Sequence, residues 1–352
     1  MKQKIFQIIC IILFFVIFWC FYGDEYWQYQ ERAENTKLYQ QEIDESITKF
    51  SLEKIHSTWE IAALHTTPDT SFLDELVFHV EQAQEKIYVE VYIFTEKRLR
   101  DAIIEAQKRW VDVKILLENN PYQAPYLNDS HYNDFKDAGI DVRWSDPLNY
   151  SLNHAKLLII DERTYVSTWN FSYSLFTKNR DFMVEISQWD LQRALQQLFI
   201  QDFTHEKYGV YHERLVLSPE YSRFKLSQLV SQAQSSLDIY FPYIQDDAFE
   251  ELIFDAISRG VEIRFIVDKV FFDENPEKIQ AYKARWIDIL YLDGKKLHAK
   301  AILSDKKYLY IGSINFSTYS FDENREIGIL ISDDMILQDF SQIFTQDFIW
   351  NE

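Results

Sequence analysis

The chain is short of thiols, of basic charge and of recognisable metal-ligand spacing. It has two cysteines in 352 residues, Cys10 and Cys20, and both lie in one apolar N-terminal run. The remainder therefore can hold neither a disulfide framework nor a cysteine-ligated metal. Lysine and arginine number 36 against 56 acidic residues, a formal net charge of -20. A field of that sign repels DNA, RNA and anionic headgroups at long range, so it disfavours nucleic acid as a partner. No EF-hand pattern and no low-complexity tract occur, and the acidic clusters read as solvated surface. His56, His65, His79, His131, His205 and His212 lack ligand spacing and read as structural or surface residues, so neither a metal nor another cofactor is expected.

What is present is a large apolar content, 47% hydrophobic and 16% aromatic, enough for a packed body. The length exceeds what one core usually organises, so two halves are expected. Residues 5–22 are apolar apart from Gln7, with Lys2 and Lys4 before them and Asp24 and Glu25 after. Eighteen residues just span a bilayer as a helix, and the flanking charges place the body outside the cytoplasm. Trp19-Cys20-Phe21-Tyr22 offers no small-residue cleavage site, so an uncleaved single-pass anchor is expected over residues 1–23. Residues 24–60 lack Gly and Pro and read as a polar helical stalk.

An internal repeat fills the rest, with one half over 61–210 and the other over 211–352. Glu81–Glu118 aligns without gaps on Ser231–Asp268, each reading helix end, strand, helix, strand. Both halves close on matching helical ends, Leu198–Phe203 and Ile343–Phe348. Apolar β-branched runs alternating with helices imply an α/β fold class. Two similar half-domains would each have a sheet flanked by helices, related by a pseudo-two-fold axis.

Within the repeat recurs a rare pattern, H-x-K-x4-D. The second copy is His298, Lys300 and Asp305, followed by Gly312-Ser313-Ile314-Asn315 and then Asn324-Arg325-Glu326. The first is His154, Lys156 and Asp161, followed by Ser167-Thr168-Trp169-Asn170 and then Asn179-Arg180-Asp181. The first copy is one residue short before Ser167. Alternation along a strand sends His and Lys to one face. A neighbouring strand ending at the Asn adds an amide and a hydroxyl. Two such sets would clamp a doubly esterified phosphate and stabilise its oxyanions in the pentacoordinate state. One imidazole can attack phosphorus and form a phosphohistidine, and the other can protonate the leaving alcohol. Asp181 and Glu326 are suited to accept a bond from a histidine's second nitrogen and fix its tautomer.

These paired motifs resemble those of the phospholipase D superfamily over about residues 61–350. The resemblance implies a metal-independent phosphodiester hydrolase or transphosphatidylase. His154, Lys156, His298 and Lys300 would be catalytic, and Asn170, Asn315, Thr168 and Ser313 would bind phosphate. By the family's usual order His154 is the nucleophile and His298 the general acid. Asp161 and Asp305 would support the motif's structure. The first copy departs in carrying Ser167-Thr168 for Gly-Ser and Asp181 for Glu326. Tyr122, Tyr126, Trp144, Tyr150, Phe271 and Phe272 are candidates to line a lipid groove, with core packing the alternative for most.

The expected function is a membrane-anchored, extracytoplasmic phospholipase D-like enzyme acting on glycerophospholipids. The alternatives are a cardiolipin synthase-like phosphatidyl transferase, an endonuclease of the same superfamily and a non-catalytic envelope scaffold. The sequence does not fix the oligomeric state. If the two histidines do the chemistry unaided, turnover should be unchanged in excess EDTA. A loss restored only by a divalent ion would contradict this.

Overall fold

A computed structural model describes residues 37–55, 61–206 and 209–349. In it the repeated apolar runs become strands of two seven-stranded sheets built to one plan. The first contains β1 (Ile61–Thr66), β2 (Lys86–Val91), β3 (Asp112–Leu117), β4 (Asp141–Trp144), β5 (Lys156–Ile160), β6 (Arg163–Ser167) and β7 (Phe182–Ile186). The second contains β8 (Leu215–Ser218), β9 (Ser236–Phe241), β10 (Glu262–Val267), β11 (Asp288–Tyr291), β12 (Ala301–Ser304), β13 (Tyr308–Gly312) and β14 (Glu326–Ile331). Across the first sheet the order is β1-β7-β6-β5-β2-β3-β4, and across the second β8-β14-β13-β12-β9-β10-β11. The two orders are the same. In each sheet the three strands at one edge are parallel and the rest antiparallel.

Each sheet has helices over its outer face, because the odd residues of β2 (Ile87, Val89, Val91) and β9 (Leu237, Ile239, Phe241) join separate apolar cores there. Helices Thr70–Gln82 and Lys97–Lys108 complete the first core and Ser222–Ser231 and Asp247–Ser258 the second. The inner faces meet, β5, β6 and β7 against β13 and β14. Phe182 lies 5.3 Å from Tyr240 and 5.0 Å from Phe340 between ring centroids.

The one-residue difference between the motif copies falls in a hairpin. Ile160 pairs with Arg163 across a two-residue turn, whereas Ser304 pairs with Tyr308 across three residues. Asp161 and Asp305 both sit in these turns with positive φ (48° and 54°). Asp161 accepts from the amides of Gln84, Glu85 and Lys86, and Asp305 from those of Gln234, Ser235 and Ser236. Each aspartate thus ties the hairpin to the start of the central parallel strand.

The Gly-to-Ser difference also has a physical cause. A Cβ at Gly312 would lie 2.5 Å from the Gly328 Cα and from the Tyr310 hydroxyl oxygen. Tyr310 occupies that space and accepts from the Ile314 amide at 3.2 Å. In the first half Tyr165 bonds His79 instead, and the Ser167 hydroxyl accepts from the equivalent Trp169 amide at 3.0 Å.

The halves are joined by reciprocal buried ion pairs. Arg180 meets Asp347 (2.6 Å) on the C-terminal helix of the second half, Asp334–Ile349. Arg325 meets Asp202 (2.8 Å) on the corresponding helix of the first, Trp189–Thr204. Residues 37–48 are helical and, with 209–211, form a separate small unit. The expected anchor and residues 24–36 and 56–60 of the expected stalk lie outside the described residues. Among the described residues no helix is long and apolar enough to cross a membrane.

Removing one partner of a buried pair leaves a dry, uncompensated charge, which costs about 3–5 kcal/mol. Asp347→Ala should therefore lower stability by that order in denaturant titration, because Arg180 would be stranded. A change within experimental error would show that water reaches the pair.

Candidate active site

Both H-x-K segments lie at the mouth where β5 and β12 begin. Lys156 is the first residue of β5, and Lys300 immediately precedes β12. The Asn-bearing segments follow the ends of the adjacent β6 and β13. His and Lys of each copy are therefore brought together at the strand entrance, just ahead of the regular ladder.

The carboxylates cross between halves. Asn179–Arg180 pairs in parallel with Lys296–Leu297, and Asn153 bridges Arg325. The His298 amide donates to the Arg180 carbonyl, and the His154 amide to the Arg325 carbonyl (3.2 and 2.8 Å). The residue after each arginine is then delivered to the opposite histidine. His154 Nδ1 lies 2.8 Å from Glu326 Oε2, and His298 Nδ1 lies 3.1 Å from Asp181 Oδ1. Glu326 and Asp181 are fully buried, so these contacts are formed out of water.

The two lysines are also fully buried. Lys156 Nζ donates to the His154 carbonyl, and Lys300 Nζ lies 3.1 Å from His298 Nε2. Burial, more than any neighbour, holds Lys156 well below the ordinary lysine range and brings Lys300 down to about 8. Asp181 and Glu326 pull the other way on both. His154 is pushed well below 6.5 by burial and then by Lys156, Lys300 and His298; His298 is lowered by burial and Lys300, against Asp181. Burial raises Glu326 to about 7, against Lys156 and the Ser313 and Ser320 hydroxyls. Two cations that are costly to keep charged, beside neutral imidazoles, form a site that an anion would relieve.

The motif hydroxyls are engaged with the strands that carry the carboxylates. Thr168 is buried; its Oγ1 donates to Asp181 at 2.7 Å and accepts from the Phe182 amide at 3.0 Å. Ser313 Oγ donates to the Ile327 carbonyl at 3.2 Å and accepts from the Ile327 amide at 3.0 Å. Both hydroxyls thus bond to the carboxylate-bearing strands. Asn170 accepts from the Ile93 amide at 3.3 Å, which leaves its NH2 as a donor. The oxygen of Asn315, mostly buried, has no hydrogen-bond partner. Asp161 and Asp305 are tied to the hairpins and take no part in the histidine cluster.

Sequence reading missed Tyr92, whose ring meets His154 edge-on with centroids 4.8 Å apart and lies 5.3 Å from Lys156 Nζ. Burial raises its hydroxyl to about 12, and the same holds for Tyr243 beside Glu326. Arg180 and Arg325 were visible in the repeated N-R-[DE], and Asp202 and Asp347 in the repeated Q-D-F, but nothing in the sequence paired them across the halves. Of the candidate groove aromatics, Tyr122 and Tyr126 are exposed. Tyr150 is buried against Arg325, Trp144 stacks on Tyr132, and Phe271 and Phe272 pack on the second core. Among the described residues His65, Glu75 and Glu185 bring ligand-type atoms within 4.8 Å of one another, but Glu185 is engaged by Arg163.

As pH rises through about 8, Lys300 loses its charge and the clamp weakens. On this basis kcat/KM should fall on an alkaline limb near that value, and Lys300→Arg, which stays charged, should move the limb upward. An unmoved limb would assign it to another group.

Residues 76–216 and 226–348 match the family model described as cardiolipin synthase, PLD-like domain. The chain is similar to the major cardiolipin synthase ClsA of Bacillus subtilis (strain 168), 24% identical and covering 78% of this chain and 66% of that protein. It is similar also to a cardiolipin synthase of Clostridium perfringens (strain SM101 / Type A), 24% identical over 79% of this chain and 68% of that protein. This chain thus spans about two thirds of the length of these relatives. Among solved structures, phosphatidylserine synthase of Haemophilus influenzae Rd KW20 superposes with a TM-score of 0.68 at 11% identity, covering 88% of this chain and 90% of that one. Polyphosphate kinase of Porphyromonas gingivalis gives 0.64 at 16%, covering 80% and 49%. The matched family model spans most of both halves, and the chain belongs to the phospholipase D superfamily.

Proposed function

We propose that the chain is a phosphatidyl transferase of the cardiolipin synthase type. The observation that carries the chemistry is the pair of imidazoles, each held at Nδ1 by a buried carboxylate of the opposite half. Relatives named as cardiolipin synthases favour an alcohol over water as acceptor, which sets the hydrolytic reading second. With Nδ1 held by a carboxylate, the reaction falls to Nε2 of each ring, and that of His298 lies 3.1 Å from Lys300 Nζ.

In this reading a phospholipid's phosphodiester anion enters between Lys156 and Lys300, with the Asn170 amide donating to its oxygens. One histidine, His154 in the family order, attacks phosphorus through Nε2. Glu326 stabilises the cation that develops on its ring. The other, His298, gives a proton to the departing alcohol oxygen as the P–O bond breaks. Its neutral form then removes the proton of the incoming hydroxyl, which attacks the phosphohistidine and releases His154. The low histidine pKa values suit the nucleophile and the second-step base. The incoming phosphate's negative charge raises them toward the acid role. Residues 5–22 would anchor the body to the bilayer that supplies both substrates, with the body outside the cytoplasm.

Full-length protein in phosphatidylglycerol-containing bilayers should form cardiolipin and glycerol in equal amounts. His154→Ala and His298→Ala should each lose turnover by roughly a thousandfold or more. Phosphatidic acid with oxygen taken from water, and no cardiolipin, would make the enzyme a hydrolase.

A further inference from the structure

The two halves hold their histidines differently. In the second half Leu297 precedes His298, and the Tyr240 hydroxyl donates to Asp347 at 2.8 Å. In the first half Asn153 precedes His154, and the position equivalent to Tyr240 is Glu90, which has no exposed surface. Asn153 Nδ2 donates to Glu90 Oε1 at 2.8 Å, and Asn153 Oδ1 accepts from the Ala155 amide at 3.1 Å. The Asn153 amide in turn donates to Glu118 at 2.7 Å. On its other side Glu90 adjoins Asp202, the partner of Arg325, and Glu90 Oε2 and Asp202 Oδ2 are both buried oxygens with no N–H or O–H donor from another residue.

We propose that Glu90, as a neutral carboxylic acid, is a positioning residue for His154, linking the Asn153 turn to the Asp202–Arg325 pair. Two carboxyl groups in hydrogen-bond contact in a dry site cannot both be ionised. Arg325 faces Asp202, and Glu220 and the Tyr150 hydroxyl also meet that guanidinium. Asp202 therefore keeps the charge and Glu90 keeps the proton, donating it to Asp202 while accepting from Asn153. Burial drives Glu90 in the same direction. The chain of contacts closes on the reacting group, because Arg325 both receives the His154 amide on its carbonyl and precedes Glu326. One neutral acid thus sets His154 and its carboxylate in common register. In the second half the Tyr240 phenol supplies the bond to Asp347, and no side chain reaches from it to Leu297.

The test uses the full-length protein and three variants. Glu90→Gln preserves both bonds, its amide donating to Asp202 and its oxygen accepting from Asn153. Glu90→Leu removes both, and Asn153→Leu installs the second half's residue. Two readouts are taken: turnover, and the rate at which diethyl pyrocarbonate modifies His154 relative to His298, mapped by peptide mass spectrometry. Expected is a kcat about tenfold or more lower in both leucine variants, with KM within about twofold and His154 modified faster relative to His298. Glu90→Gln should match the wild type in both readouts. The proposal is overturned if Glu90→Leu behaves as wild type, or if Glu90→Gln is as impaired as Glu90→Leu. The kinetic arm rests on the transferase reading. If the wild type turns over no phospholipid that reading fails, and the modification arm still decides the role of Glu90.

Discussion

Everything at this site depends on an exchange of short backbone segments between the halves. The N-R-[DE] segment of each half hydrogen-bonds to the approach of the other half's H-x-K. The exchange does two things at once. Its arginine reaches back to an aspartate on the opposite C-terminal helix and fastens the interface, and its next residue reaches forward to the opposite histidine. Neither half holds a complete site, since each lacks the carboxylate for its own imidazole. Interface strength and catalytic geometry are therefore one property of the fold, set by adjacent residues.

The electrostatic arrangement follows from that burial. Lys156 and Lys300 sit without solvent beside Asp181 and Glu326, two cations against two carboxylates. Desolvation lowers both lysines and raises Glu326 toward neutrality. A phosphodiester monoanion entering between the lysines would restore their charge and raise the histidines toward the protonation that a general acid needs. The site is thus biased toward the charged transition state by groups already in place, as preorganised sites are. The strongly acidic body does not contradict this, because Lys156 and Lys300 are buried away from the surface charge.

Much of this was legible in the sequence. The gap-free alignment of Glu81–Glu118 on Ser231–Asp268 marked the strands of two like halves, and the single missing residue lies in the Asp161 hairpin, where the indel is easily absorbed. The motif residues were legible because His, Lys and Asp recur at one spacing, and Asn, Arg and an acid at a second. What could not be read was contact between the halves. The sequence showed Asp181 and Glu326 as histidine partners without saying that each serves the other half, and it showed Q-D-F twice without revealing that its aspartate meets a buried arginine. Nor did it show the hydrogen bonds that tie Thr168 to Asp181 and Ser313 to Ile327, because these depend on the β6–β7 and β13–β14 pairings. Glu90 gave no signal, because a lone acid in a strand becomes conspicuous only once its burial is known.

The crossing of the carboxylates between the halves can be tested without substrate. Imidazole 15N resonances of His154 and His298, assigned with the alanine variants, would be recorded in Glu326→Gln and in Asp181→Asn. Glu326→Gln should shift the tautomer and protonation signature of His154 much more than that of His298, and Asp181→Asn should do the reverse. If each substitution perturbed the histidine of its own half instead, the crossed site would be wrong.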